Sequence, residues 1–403
     1  MCTTGPHAPT KEELIAKVLE NNISAADLSL LCPLIDADDL AYIIQHIYDL
    51  NERSILGLAA LTSIMRLFDN NKNTRRNNQF TKKMKTGLWN SQDPDRKIVL
   101  VEGDSWFNYP IILTDVIDSL SVDSNLAIYS LAKGGDWLLN MLTGRKYVEE
   151  LSILFPDFFL ISGGGNDIVG SRRLAAIVQP THSMTQYHQN EWAITLIKDK
   201  AEKQHVPLDK KFDVGVGYLS KDFFALLMFF HMQYFFLFDG ILNGGKTKKT
   251  KFPGIKILTQ GYDFPIPSTE KGFGLNILKW YIPFVRLLLG HGSWLKIPLQ
   301  LRRITDPEIQ SSITYAMIYL FNEMMIDVGR CFNLPGQPKR VFHIDSRGSV
   351  GAHGWTDELH AQPKHFLATG KVFSYCIRQH MNSASASYDH VYVVNDILPK
   401  LKP

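Results

Sequence analysis

Cysteine is scarce in this chain: four in 403 residues, Cys2, Cys32, Cys331 and Cys376, with no C-x-x-C pair among them. That scatter excludes a disulfide framework and offers no common zinc spacing, so reduced thiols are the expectation. A dominant charge is lacking too. Lys and Arg total 43 against 40 Asp and Glu, a net +3 that is too small to argue nucleic-acid binding. The first residues, MCTTGPHAPTKEEL, contain neither the apolar run of a secretory signal nor the myristoylation pattern, which predicts a cytoplasmic protein. The most apolar stretch, residues 223–238 (FFALLMFFHMQYFFLF), is interrupted by His231 and Gln233. It falls short of the roughly 20 residues a bilayer span needs, so a buried or lid helix is expected, with at most peripheral membrane contact.

What is present is an ordinary globular balance, 45% hydrophobic and 21% charged, long enough for two or three domains or one large domain with insertions. Residues 1–70 read as a helical unit. Thr10 and Glu13 have capping-box spacing, and helical periodicity continues over 25–32, 37–50 and 53–68. Residues 71–95, rich in Asn, Lys and Arg, read as a basic linker.

From residue 97 the texture changes to short β-branched runs separated by long segments, the pattern of α/β crossovers. Strands are predicted at 97–103, 125–132, 157–164, 254–261 and 340–347. Their near-continuous apolarity suits a parallel sheet covered on both faces, so the expected fold is a doubly wound, three-layer α/β/α domain over 96–403. The long gaps after the third and fourth strands predict cap insertions at about 170–252 and 266–304. Asp306 and Pro307 start a helix whose apolar face includes Ile313, Met317 and Phe321.

Open α/β sheets bind ligands at the carboxyl ends of their strands. There the chain carries Gly103-Asp104-Ser105-Trp106, Lys133-Gly134-Gly135-Asp136, Gly163-Gly164-Gly165-Asn166-Asp167 and Asp357-Glu358-Leu359-His360. Acyl transfer by a serine needs a base, an acid that orients the base, and donors aimed at the developing oxyanion. Ser105 is the candidate nucleophile, His360 the base and Asp357 its partner. The Gly135 N–H and the Asn166 amide are candidate oxyanion donors, with Gly134 the alternative glycine. Asp104, Trp106, Tyr109 and Trp137 are candidate pocket residues, and Asp345 is a second-choice acid.

Taken in order, these blocks resemble the SGNH or GDSL-type hydrolases, which implies their flavodoxin-like three-layer α/β/α fold. Gly103-Asp104-Ser105 is similar to their first block, Gly135 to the second, Gly165-Asn166-Asp167 to the third and Asp357-x-x-His360 to the fifth, with Trp106 where the Leu of the name would stand. The segment Gln260-Gly261-Tyr262-Asp263 also looks familial. The resemblance covers roughly residues 97–385. It implies an esterase or lipase-like activity through an acyl-enzyme on Ser105, with the Ser105 N–H joining the oxyanion hole and no cofactor. The partner expected is a small-molecule or lipid-like ester; acyl transfer to another acceptor, or carbohydrate deacetylation, would use the same triad. His343, His353 and His365 have no common zinc spacing, and no metal is expected. Residues 240–247 fit the P-loop pattern G-x-x-x-x-G-K-[ST] and give a nucleotide-binding alternative, although Pro253 and Gly254 cut short any helix after it.

Overall fold

The computed structural model describes residues 8–48, 72–85, 95–109, 114–198, 205–247, 249, 251–268, 294–381 and 390–401. Six strands, β1 (Lys97–Gly103), β2 (Leu126–Ser130), β3 (Phe158–Ser162), β4 (Lys256–Gln260), β5 (Val341–Asp345) and β6 (Val391–Val393), form one all-parallel sheet in the order β2-β1-β3-β4-β5-β6. This is the flavodoxin-like order with one strand added. The first five fall on the predicted strands: β1 matches in full, and the other four are one or two residues shorter at each end. The strands are almost entirely buried, as parallel strands between two helical layers must be.

Helices Val116–Ser121 and Pro363–His380 pack together on one side of the sheet; Leu138–Gly144, Lys221–Leu242 and Pro307–Phe332 pack together on the other. The Pro307 helix starts as expected, with the Asp306 carboxylate accepting from the N–H groups of Glu308 and Ile309. The apolar stretch becomes the helix Lys221–Leu242, the crossover from β3 to β4 rather than a cap. It is apolar all round because Ala37–Tyr48 and Pro307–Phe332 both pack on it. Among the described residues it is the one helix long and apolar enough to cross a membrane, and 78% of its apolar window is buried inside the protein. Most of the second expected cap, like the helix expected at 53–68, lies outside the described residues.

The N-terminal helices are not a separate unit. Leu14, Val18, Leu28, Leu40 and Ile44 belong to the same continuous core as the sheet, and Asn21 Nδ2 donates to the Gln186 carbonyl at 2.9 Å. The expected basic linker is instead helical over 72–85. Its cations meet acids distant in sequence: Lys72 Nζ lies 2.6 Å from Asp115 Oδ2, and Arg76 Nη2 lies 2.6 Å from both Asp115 Oδ1 and Asp118 Oδ1. Asn77 donates to the Ser130 carbonyl and accepts from its N–H, occupying the open edge of β2. The P-loop-like segment follows a helix, not a strand: Gly240 lies within Lys221–Leu242, and Gly245–Thr247 is one short 3-10 turn. The strand–loop–helix setting that a phosphate loop requires is therefore not formed there.

Candidate active site

At Gly103, where β1 ends, an added Cβ would lie 2.8 Å from Phe107 and 2.9 Å from the Ser162 carbonyl, so only glycine lets the chain turn there. Asp104 then ties the turn. Its Oδ1 accepts from Trp106 N at 3.1 Å and Ser162 Oγ at 3.2 Å, and its Oδ2 accepts from the Tyr262 hydroxyl. Burial pushes the Asp104 carboxyl up from the ordinary range, and these three donors oppose the rise. Ser105 is thereby presented from a fixed turn at the carboxyl edge of the sheet.

The base comes from a small loop closed by the Thr356 N–H on the His360 carbonyl at 2.7 Å. Asp357 Oδ1 accepts the N–H groups of Leu359 and His360, each at 2.8 Å, which folds the carboxylate back under the imidazole. His360 Nδ1 lies 2.8 Å from Asp357 Oδ2, and its Nε2 lies 2.8 Å from Ser105 Oγ. With the ring proton on the Asp357 side, the Nε2 lone pair faces the serine hydroxyl. Burial acts to raise the Asp357 pKa, but the imidazole and the two N–H groups outweigh it and hold the carboxyl below its usual range. The indole N–H of Trp106 donates to the Leu359 carbonyl at 3.3 Å, so the nucleophile turn and the base loop are clipped together.

On the other side of the serine, Gly164 at φ +101° turns the chain into the short helix Gly165–Val169, and Asn166 reaches the cleft. One Asn166 amide N–H goes to the Asp136 carbonyl at 3.1 Å, linking the turns after β2 and β3. Gly135 adopts φ +75° in the turn beside that carbonyl, a conformation that favours glycine, but it does not line the cleft. Asp167 turns inward and accepts from Leu138 N at 3.1 Å. Tyr262 bridges the two sides, donating to Asp104 while accepting from Gly165 N at 3.1 Å.

The cleft beside Ser105, Asn166 and His360 is walled chiefly by Ile168, Val169, Pro265, Leu295, Met317 and Ile318. Asp104 and Trp106 line it as expected; Tyr109 and Trp137 do not. The Tyr109 ring packs on the His360 imidazole, and Trp137 lies 3.4 Å beneath the Arg173 guanidinium. Asp345 is committed to a bidentate pair with Arg347, Nη2 to Oδ2 being 2.6 Å, and is not the acid partner of His360. His343 is buried in the core against Thr259 and Asn322, where burial depresses it to about 3. His365 bonds the Ser349 carbonyl at 3.1 Å.

Sequence reasoning did not assign Tyr262 a role, and it missed the walls Leu295, Pro265 and Ile318. The glycine-flanked tyrosine at the end of a strand was a signal for the first. The walls converge from separate segments and carried none, although Met317 was legible as part of an apolar helix face. No protein-family model, curated protein or solved structure matches this chain.

Proposed function

We propose that this chain is a serine hydrolase that cleaves carboxylic esters through an acyl-enzyme on Ser105, of the SGNH kind that its blocks resemble. The observation that carries this reading is the continuous line from Asp357 Oδ2 through His360 to Ser105 Oγ, with a 2.8 Å contact at each step. Ser105 Oγ attacks the ester carbonyl as its proton passes to His360 Nε2; Asp357 stabilises the resulting imidazolium. The second amide N–H of Asn166 is directed at the oxyanion. His360 then protonates the departing alcohol and activates water against the acyl-enzyme. The apolar walls of the cleft support an ester with a hydrophobic acyl or alkyl part over a sugar acetate. Free thiols at Cys32, Cys331 and Cys376 accord with a reducing compartment, and we place the protein in the cytoplasm.

The test is hydrolysis of p-nitrophenyl esters from acetate to palmitate by the wild type and Ser105→Ala, with circular dichroism to check folding. Activity lost in a folded Ser105→Ala is the expected result. Equal hydrolysis by both proteins removes Ser105 as nucleophile. No hydrolysis by either removes simple ester cleavage and favours transfer to a dedicated acceptor.

A further inference from the structure

The helix Lys221–Leu242 interrupts its apolar surface with His231, and the triad above makes no use of that buried imidazole. His231 Nδ1 lies 3.4 Å from Cys32 Sγ, at the end of helix Ala25–Leu31, and its Nε2 lies 3.4 Å from Asp327 Oδ2 on the Pro307 helix. Asp327 is itself oriented by the Trp192 indole N–H at 3.3 Å, and the Trp192 ring stands edge-on to the imidazole. Cys32, His231, Asp327, Trp192, Arg330 and Cys331 line a groove of about 500 Å³. Three elements far apart in sequence thus bring a thiol, an imidazole and a carboxylate into one line with access from outside.

We propose that Cys32 is a nucleophilic thiol activated by His231 and Asp327, and that it is an oxidation site for small hydroperoxides. The reasoning is that of any activated nucleophile. The Asp327 carboxylate, 3.4 Å from Nε2, draws the ring proton to that side, which leaves the Nδ1 lone pair facing the thiol. Cys32 passes its proton to Nδ1, and the imidazolium is stabilised by Asp327. The sulfur attacks the near oxygen of the peroxide; the O–O bond breaks, and the departing oxygen takes the imidazolium proton. A peroxide R–O–O–H and a thiol become a sulfenic acid and R–O–H; sulfur is oxidised by two electrons and the peroxide reduced by two. Burial works to lower the basicity of His231, but Cys32, Asp327 and Cys331 together raise it well above the ordinary imidazole range. The titratable and charged groups facing the pair are Asp327, Arg330 and Cys331, all on the Pro307 helix. The helices Ala25–Leu31 and Glu191–Lys198 present Ala25, Leu28, Ser29, Trp192 and Thr195 to the groove, none of them charged.

The chain carries its own controls. Cys331 is exposed, whereas Cys376 is as buried as Cys32, has no imidazole against it among the described residues, and has its pKa driven upward by burial. The experiment is peptide mapping of the folded protein at pH 7 after brief iodoacetamide, and separately after hydrogen peroxide with a sulfenic-acid trap. Cys32 is expected to alkylate faster than Cys331 despite its burial, and at least tenfold faster than Cys376. Peroxide should yield trapped sulfenic acid at Cys32, or a disulfide from it to Cys331; either supports the assignment. His231→Gln and Asp327→Asn should each slow Cys32 at least tenfold. A variant that fails to fold announces itself by rapid labelling of Cys376, and the wild-type ranking then decides alone. Cys32 slower than Cys331 in the wild type, or a folded variant that labels Cys32 at the wild-type rate, overturns the proposal. Ester hydrolysis by Ser105 does not enter either outcome.

Discussion

The Tyr109 hydroxyl donates to Asp357 Oδ2 at 3.3 Å, and its ring lies against the His360 imidazole with centroids 4.3 Å apart. One side chain therefore touches both members of the proposed acid–base pair without facing the cleft. A hydrogen bond to a charged group is generally worth about 1.5 to 3 kcal/mol, and this long one belongs at the lower end. Tyr109→Phe keeps the ring contact and should lower kcat for ester hydrolysis about tenfold with little change in KM. Tyr109→Ala, which loses the ring as well, should fall further. Steady-state kinetics on folded variants check this; an unchanged kcat for Tyr109→Phe would limit the residue to packing.

Asn166 makes the sharper catalytic prediction. An oxyanion donor typically contributes about 3 to 4 kcal/mol in the transition state alone. Asn166→Ala should reduce kcat a hundredfold or more while KM stays near the wild type, and the melting temperature should fall only slightly, through loss of the bond to the Asp136 carbonyl. A comparable loss in KM instead would mean that the amide binds the ground state rather than the developing charge.

How much of this was visible in the sequence depended on whether the signal was local. The strands β1 to β5 are short apolar runs; Ser105 and Asn166 sit just past the ends of β1 and β3, and Asp357 and His360 form a D-x-x-H pair in the segment after β5. Ser105, Asn166, Asp357 and His360 were therefore nameable from the sequence. β6 has only three residues, too few for a periodic signal. The helix over 72–85 escaped because it carries little apolar stripe; its anchors, Asp115 and Asp118, are about 40 positions away. Tyr109 and Trp137 were legible as aromatics near motifs, but which way each ring would turn depended on His360 and Arg173, residues distant in sequence.

Those same distant ion pairs can be tested for stability. Arg76 reaches Asp115, Asp118 and the Phe107 carbonyl, while Asp115 caps the helix Val116–Ser121 and also accepts from Tyr109 N at 3.1 Å. Removing one partner of a buried pair costs about 3 to 5 kcal/mol when the other charge is left alone, and somewhat less here because Lys72 remains. Arg76→Ala should lower the melting temperature by several degrees and depress ester hydrolysis in the same direction as Tyr109→Phe. Thermal denaturation that leaves Arg76→Ala level with the wild type would show that the 72–85 helix is not anchored through this residue.

Asp167 gives a prediction about pH. Burial raises its carboxyl to about 7, with the Asp136 charge adding to the rise and the Leu138 N–H and Arg173 opposing it. An unfolded aspartate titrates near 3.9, so between roughly pH 4 and 7 the native state holds a proton that the unfolded chain has released. The stability from this group is complete below the unfolded value and is lost as pH rises through the native one. Buried Asp263, raised to about 6, and Glu102, raised to about 8, act in the same sense. The wild-type melting temperature should therefore decline from pH 5 to pH 8. Asp167→Asn keeps an acceptor for Leu138 N and has no proton to lose. It should decline less steeply and melt above the wild type at pH 8, by an amount corresponding to at most a few kcal/mol. Calorimetry at constant ionic strength reads the slopes directly, and parallel slopes would mean that Asp167 is already ionised in the native protein at neutral pH.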